Sequence, residues 1–198
     1  NGRWPGKRTK PLWEIDDELN HALLLKIFSC YYDLSCHNVS WEGSELYFQE
    51  IPTFSKNKND VKNRGWIHTD VADHEGMIGE VAGLVYLTPD SDPDTGTSFF
   101  KMKQNDKEYV TYNRQFAKHL LYRENYTVDE DYYIKKVKDH EKLFVEKIRF
   151  ANIYNRMIMY DTNEFHRANN YYIKDGKDPR LTLIFFVAGL KVISYPLE

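Results

Sequence analysis

Cysteine is scarce in this chain: Cys30 and Cys36 are its only two among 198 residues. Two thiols complete no thiolate zinc site and build no disulfide framework, so ordinary cysteines in a reducing compartment are expected. Long apolar runs are missing as well. The longest, Leu181 to Leu190, is far too short to cross a bilayer, and the start carries no signal-peptide pattern. The chain opens on Asn1 rather than Met, which leaves a removed leader open; a cytoplasmic protein with no membrane partner is the expectation. Nor is there an excess of basic charge. The formal net charge is −3 with no long run of Lys or Arg, so no broad positive face for nucleic acid is expected.

Aromatic residues, by contrast, make up 15% of the chain, enough to supply a core with many half-buried rings. The length fits one domain better than two small ones. Residues 1–45 read as a lead-in punctuated by Pro5, Gly6 and Pro11, followed by a helix from about Leu12. In that helix Ile15, Leu19, Leu23 and Ile27 form one row, with Glu14, Asp16, Asp17 and Glu18 at its positive end, and it is expected to pack outside a sheet. Strands are expected over 46–100, with Leu46 to Phe54, a strand ending at Asp70, Val81 to Leu87 and Thr97 to Lys101. Residues 101–143 form a helical insertion, Asp106 to Tyr122 and Val128 to Leu143. Residues 144–198 return to strands at Phe144 to Phe150, Arg156 to Asp161, Glu164 to Ala168 and Arg180 to Val187. Many short strands that do not alternate with helices predict a mainly β protein with flanking helices, a double-sheet jelly roll or barrel.

The chain is organised around Arg64-Gly-Trp-Ile-His-Thr-Asp70. In a strand His68 and Asp70 emerge on one face, with Trp66 beside them as a wall. Imidazole nitrogen and carboxylate oxygen together suit divalent iron. One His-x-Asp among seven histidines is by itself an ordinary surface pair; His166, from a strand near the other end, would make it a triad. Fourteen residues further on stand Arg180 and, next on the same face, Thr182. His74, His119 and His140 are the competing histidines. His74-Glu75 lies in a glycine-flanked loop, which positions a ligand less well than a strand.

This His-x-Asp, distant His, then Arg-x-Thr pattern resembles the iron(II)- and 2-oxoglutarate-dependent dioxygenases. It is most similar to the prolyl-4-hydroxylase-like branch and to small oxygenase-like proteins of bacteria and their viruses. The resemblance runs from about Trp66 to Val187 and includes Tyr86-Leu-Thr-Pro89 and Gly96-Thr-Ser-Phe-Phe100; Pro5-Gly-Lys-Arg-Thr9 looks like a segment upstream of the core in the small group. It implies a double-stranded β-helix (jelly-roll, cupin-like) core, Fe(II) held by His68, Asp70 and His166, and 2-oxoglutarate as cosubstrate with dioxygen. Arg180 and Thr182 would bind the far carboxylate of 2-oxoglutarate, and Tyr86 would add a hydrogen bond. The formal charges of iron, Asp70, 2-oxoglutarate and Arg180 then cancel. The implied reaction hydroxylates a small-molecule or peptide substrate and releases succinate and carbon dioxide. Trp66, Phe100 and Arg167 are expected at the substrate opening, with the 101–143 insertion as one wall or, alternatively, a stabilising flank. The competing expectations are a cupin-like metal-dependent isomerase or hydrolase and a non-catalytic jelly-roll binding module.

Overall fold

The computed structural model describes residues 4–34, 39–70, 80–103, 129–174 and 177–193. The expected helix Asp106 to Tyr122 therefore lies outside the described residues, as do His74, His119 and Cys36. Cys30 is a free, exposed thiol. Among the described residues no helix is long and apolar enough to cross a membrane.

The chain is mainly β and antiparallel. Strands β1 (Lys7–Arg8), β3 (Gly43–Ile51), β4 (Val81–Tyr86), β7 (Met157–Asp161) and β9 (Arg180–Ala188) form a five-stranded sheet ordered β1-β3-β9-β4-β7. Strands β5 (Thr97–Met102), β6 (Phe144–Phe150) and β8 (Phe165–Ala168) form a second sheet ordered β6-β5-β8. A short ribbon pairs β2 (Val39–Ser40) with β10 (Lys191–Val192). The strand from Leu46 begins three residues earlier than expected and stops at Ile51, because Pro52 has no N–H to continue the ladder.

Strand β9 is apolar nearly throughout because both of its faces are covered. On one side Leu183, Phe185 and Val187 pack with Leu46 against Leu12, Leu24, Ile27 and Phe28 of two helices. On the other, Ile184 joins Tyr47, Leu84, Tyr86 and Ile158, with Phe150 reaching across from the second sheet. The helical flank sits where the periodicity placed it, with a different buried stripe. It is split into α1 (Leu12–Ile15) and α2 (Asp17–Phe28) at Asp16, whose backbone is extended and whose side chain accepts a hydrogen bond from the Leu19 N–H. An N-cap stabilises a helix start better than it tolerates a helix interior, and the break resets the helical phase. Asn20, Leu24, Ile27 and Phe28 face the sheet, leaving Ile15 and Leu19 exposed.

The second sheet has its own outer cover. Helix α3 (Glu130–Glu141) packs Tyr133 and Val137 on Trp66, next to a cluster of Ile67, Phe100 and Phe144. The described part of the 101–143 insertion thus packs on the outside of the sheet.

Gly83 shows how closely β4 fits between β9 and β7: a Cβ there would meet the Phe185 ring and the Ile158 carbonyl oxygen. Overpacking of this kind costs about 1–3 kcal/mol. Gly83→Ala should lower unfolding free energy by that amount, seen as an earlier urea midpoint with unchanged slope.

Candidate metal centre

The segment 64–70 is not a regular strand. His68 and His166 form an isolated antiparallel bridge, exchanging both backbone hydrogen bonds at 3.0 and 2.9 Å. Two residues earlier the ladder slips, because Gly65 N–H, rather than Trp66 N–H, donates to the Ala168 carbonyl. One extra residue therefore stands on this side, as in a β-bulge, and alternation fails. The approach at Gly65 is close: a Cβ would lie 2.9 Å from the backbone N and O of Ala168. At the far end Asp70 N–H donates to the Thr162 carbonyl at 2.9 Å, in the turn between β7 and β8. These bonds fix where the two ligand-type side chains emerge.

The consequence for Trp66 is a correction. It does not wall the cluster; it is buried under α3, its ring stacked on His140 at 3.9 Å. Phe100 is also in the outer cluster, and Arg167 lies over its ring and pairs with Glu141 of α3. None of the three residues expected at the opening is there. His140 is no ligand either: its Nε2 donates to the Ile67 carbonyl at 2.9 Å, bracing the residue before His68.

His68, Asp70 and His166 do meet, their ligand atoms all within 4.8 Å of one another. His68 Nε2 is 3.6 Å from Asp70 Oδ1, and His166 Nε2 is 3.3 Å from Asp70 Oδ2. Two ligands about 2.1 Å from one ion at a right angle stand about 3.0 Å apart, so a small contraction suffices. Each imidazole is oriented through its other nitrogen. His68 Nδ1 lies 2.7 Å from the Trp66 carbonyl and His166 Nδ1 lies 2.9 Å from the Glu164 carbonyl. A carbonyl only accepts, so both Nδ1 atoms carry hydrogen and both Nε2 lone pairs of the neutral rings turn toward Asp70. Lone pairs facing a carboxylate need a cation between them, whether protons or a metal. The donor set of two nitrogens and one oxygen on one side fits a divalent transition metal with open positions.

Tyr160, which the sequence reading missed, completes the cluster. Its hydroxyl donates to Asp70 Oδ2 at 3.1 Å and lies 3.1 Å from His166 Nε2. Burial would push the Asp70 carboxyl up, but attraction to His166 and His68 when those rings are protonated, together with the Tyr160 hydroxyl, holds it well below the usual range. Burial, reinforced by Asp70, pushes the Tyr160 phenol up, which keeps it a neutral donor. Phe99, opposite His166 in the β5–β8 ladder, closes one side with its ring 4.9 Å from that of Tyr160. Side-chain exposure falls from 35% at His68 through 16% at Asp70 to 6% at His166, so the cluster opens toward His68.

Arg180 and Thr182 lie on the interior face of the five-stranded sheet. Arg180 is 4% exposed, donates from Nε to the Thr95 carbonyl at 3.0 Å, and stands 5.5 Å from the Tyr86 ring. No acidic side chain among the described residues pairs with it. Thr182 is buried, its hydroxyl 3.5 Å from the Gln49 carbonyl. Tyr86 is buried beside it and donates to Thr97 Oγ1 at 2.8 Å, a bond between the two sheets. A surface groove lined by Trp13, Asp17, His21, Trp41 and Glu42 shares none of these residues.

An antiparallel two-sheet protein with a His-Asp-His cluster between its sheets is the class that the fold and the site define. The family DUF6445, described as a family of unknown function, matches residues 48–187, and the chain belongs to it. That stretch contains His68, Asp70, Tyr86, Tyr160, His166, Arg180 and Thr182. No curated protein matches the chain.

Two outcomes follow from this geometry. Removing a partner that only orients a metal ligand costs about 10–100-fold in affinity. Asp70→Ala should exceed that in a Mn(II) titration, while His140→Gln stays within a few-fold of the parent. His140 itself governs stability. Burial pulls its pKa from 6.5 to about 4, so between those values the unfolded chain binds a proton that the folded chain does not. Stability therefore rises with pH across that window. Acidifying the metal-free protein from pH 6.5 to 4 should remove about 3 kcal/mol that His140 contributes. His140→Gln, which keeps the donor, should flatten that dependence in urea titrations.

Proposed function

We propose that this protein is an iron(II)- and 2-oxoglutarate-dependent dioxygenase, a hydroxylase on a double-stranded β-helix. The strand order supports the fold. With β3 as first, 65–70 as second, and β4 to β9 as third to eighth, one sheet runs first-eighth-third-sixth. The other runs second-seventh-fourth-fifth. That interleaving across two sheets supports a jelly-roll connectivity.

The observation that carries the function is Arg180. A guanidinium buried between sheets, with no acidic partner among the described residues, is costly unless an anion meets it. It lies in the same intersheet space as a cluster suited to iron. His68, Asp70 and His166 would hold the metal through Nε2, one carboxylate oxygen and Nε2. Arg180, with the Thr182 hydroxyl, would receive the far carboxylate of 2-oxoglutarate as a planar fork. Bound there, iron and 2-oxoglutarate supply oxidation of an unactivated C–H bond by dioxygen, with succinate and carbon dioxide as co-products. The chain's own contribution is orientation and exclusion of water. Tyr160 steadies Asp70, the Trp66 and Glu164 carbonyls fix the two imidazoles, and Phe99 shields the inner side. Tyr86 stands beside Arg180 with its hydroxyl donating to Thr97, and would wall the cosubstrate's end of the intersheet space.

A cupin-like metal-dependent isomerase or hydrolase has no need of the buried Arg180, and a non-catalytic binding module has no need of the converging His68, Asp70 and His166; the experiment separates them. Calorimetry with Mn(II) and then 2-oxoglutarate under nitrogen, followed by succinate release with Fe(II) in air, tests the reading. Arg180→Ala should leave metal affinity nearly intact and weaken 2-oxoglutarate by two to more than three orders of magnitude, the equivalent of roughly 3–5 kcal/mol. Arg180→Lys should recover only part of it. Unchanged 2-oxoglutarate binding by Arg180→Ala would sink the assignment.

A further inference from the structure

A second guanidinium enters the intersheet space from the other end of the chain. Strand β1 adds Lys7–Arg8 to the edge of the large sheet, with Arg8 opposite Gln49. The register continues through Gln49–Thr182 and Thr182–Tyr86, so Arg8 is the outer member of one polar row that crosses four strands on the interior face. The edge strand is locked in place. Gln49 accepts from Arg8 Nη2 at 2.9 Å and donates to the Pro5 carbonyl at 2.6 Å. Gly6 has φ +73°, in the left-handed region, and a Cβ there would strike the Glu50 carbonyl, so the turn that aims Arg8 needs glycine.

Arg8 lies 4.1 Å from the Trp4 ring and 5.2 Å from the Tyr47 ring. Its Nε is buried and, among the described residues, has no hydrogen-bond partner. Among the described residues no carboxylate forms an ion pair with it. Glu45 is near, but its Oε2 accepts the Tyr47 hydroxyl at 2.6 Å. Burial lowers the Arg8 pKa to about 10, with Tyr47, Asp70, Glu45 and Tyr160 acting in the opposite sense, so it stays charged at neutral pH within electrostatic reach of the metal cluster.

We propose that Arg8 receives an anionic group of the substrate, and that this site acts on carboxylate-bearing molecules. The inference rests on the dioxygenase reading. Arg8 adds a positive charge that no ion pair among the described residues takes up, Glu45 acting on it only from a distance. A substrate carboxylate supplies the missing acceptor for Nε–H, with the adjoining Nη hydrogen completing a two-bonded fork. Trp4 and Tyr47 flank that fork with apolar surface, which strengthens the pair by excluding water. Arg8 is thereby a substrate-positioning residue, separate from the cosubstrate's Arg180.

The test uses the full chain loaded with Mn(II) and 2-oxoglutarate under nitrogen. The probes are amino acids, N-acetyl amino acids and short peptides, each as free carboxylate and as carboxamide, with phosphorylated counterparts. Binding is read by calorimetry and, with Fe(II) in air, stimulation by succinate release. The binders should be carboxylates, with the matching amides at least tenfold weaker. Arg8→Gln should erase that preference while Mn(II) and 2-oxoglutarate affinities stay within twofold, and Arg8→Lys should fall between. Equal binding of acids and amides, preference for phosphates, or no bound carboxylate at all would overturn the inference. So would an Arg8→Gln loss of 2-oxoglutarate affinity as large as the loss of substrate, since Arg8 would then belong to the cosubstrate's site. A parent protein that does not bind 2-oxoglutarate is detected before any probe is added, and overturns the dioxygenase reading itself.

Discussion

The two backbone hydrogen bonds exchanged by His68 and His166 are what the candidate site depends on. They join a segment near residue 68 to one near 166, and a directly opposed pair on adjacent strands carries its side chains to the same face. The imidazole rings come to 4.5 Å between centroids, and Asp70 follows two residues on. The slip at Gly65 is part of the same arrangement. It lets Trp66 and Ile67 both serve the outer core while His68 and Asp70 serve the inner cluster, a division that a regular strand would forbid.

Around that crossing the structure spends polar groups where a β-sandwich ordinarily packs hydrocarbon. Arg180, Thr182, Tyr86, Thr97 and Gln49 are all buried between or beside the sheets. Unmatched polar groups there are expensive, and most of these are matched: Tyr86 to Thr97, Gln49 to Arg8 and Pro5, Arg180 Nε to Thr95. Among the described residues no carboxylate forms an ion pair with either guanidinium. Beside the intersheet cluster of Leu84, Ile158 and Ile184, much apolar packing lies on the outer faces, where α1 and α2 cover one sheet and α3 the other. The helical flanks therefore make a polar interior tolerable, which joins the fold's stability to the site's chemistry.

Several parts of this arrangement were legible in the residues. His68, Asp70 and His166 could be picked out because few residue types bind a metal and their places in a strand-rich pattern were suggestive. Arg180 and Thr182 were marked by their offset from His166. Tyr160 was not, since a tyrosine in the apolar run Met-Ile-Met-Tyr looks the same whether it packs or donates to a carboxylate. Trp66 was misplaced because one extra residue in a ladder leaves no mark in composition. The single helix expected from Leu12 was misread for a related reason: Asp16 suits a helix's first turn and an N-cap equally well, and only the cap breaks the row.

The sequence by itself determined the chemistry available: an antiparallel, mainly β chain with a helical flank, three ligand-type side chains and an arginine opening a long apolar strand. Residue type and local periodicity carry that much, because they act over a few neighbours. Tertiary structure decided which groups meet. Register brought Arg8 into line with Gln49, Thr182 and Tyr86, a bulge turned Trp66 away, and a turn at Thr162 brought Tyr160 to Asp70. The physical reason is that pairing across a sheet depends on hydrogen bonds between segments far apart in the chain, and a one-residue slip reverses every side chain.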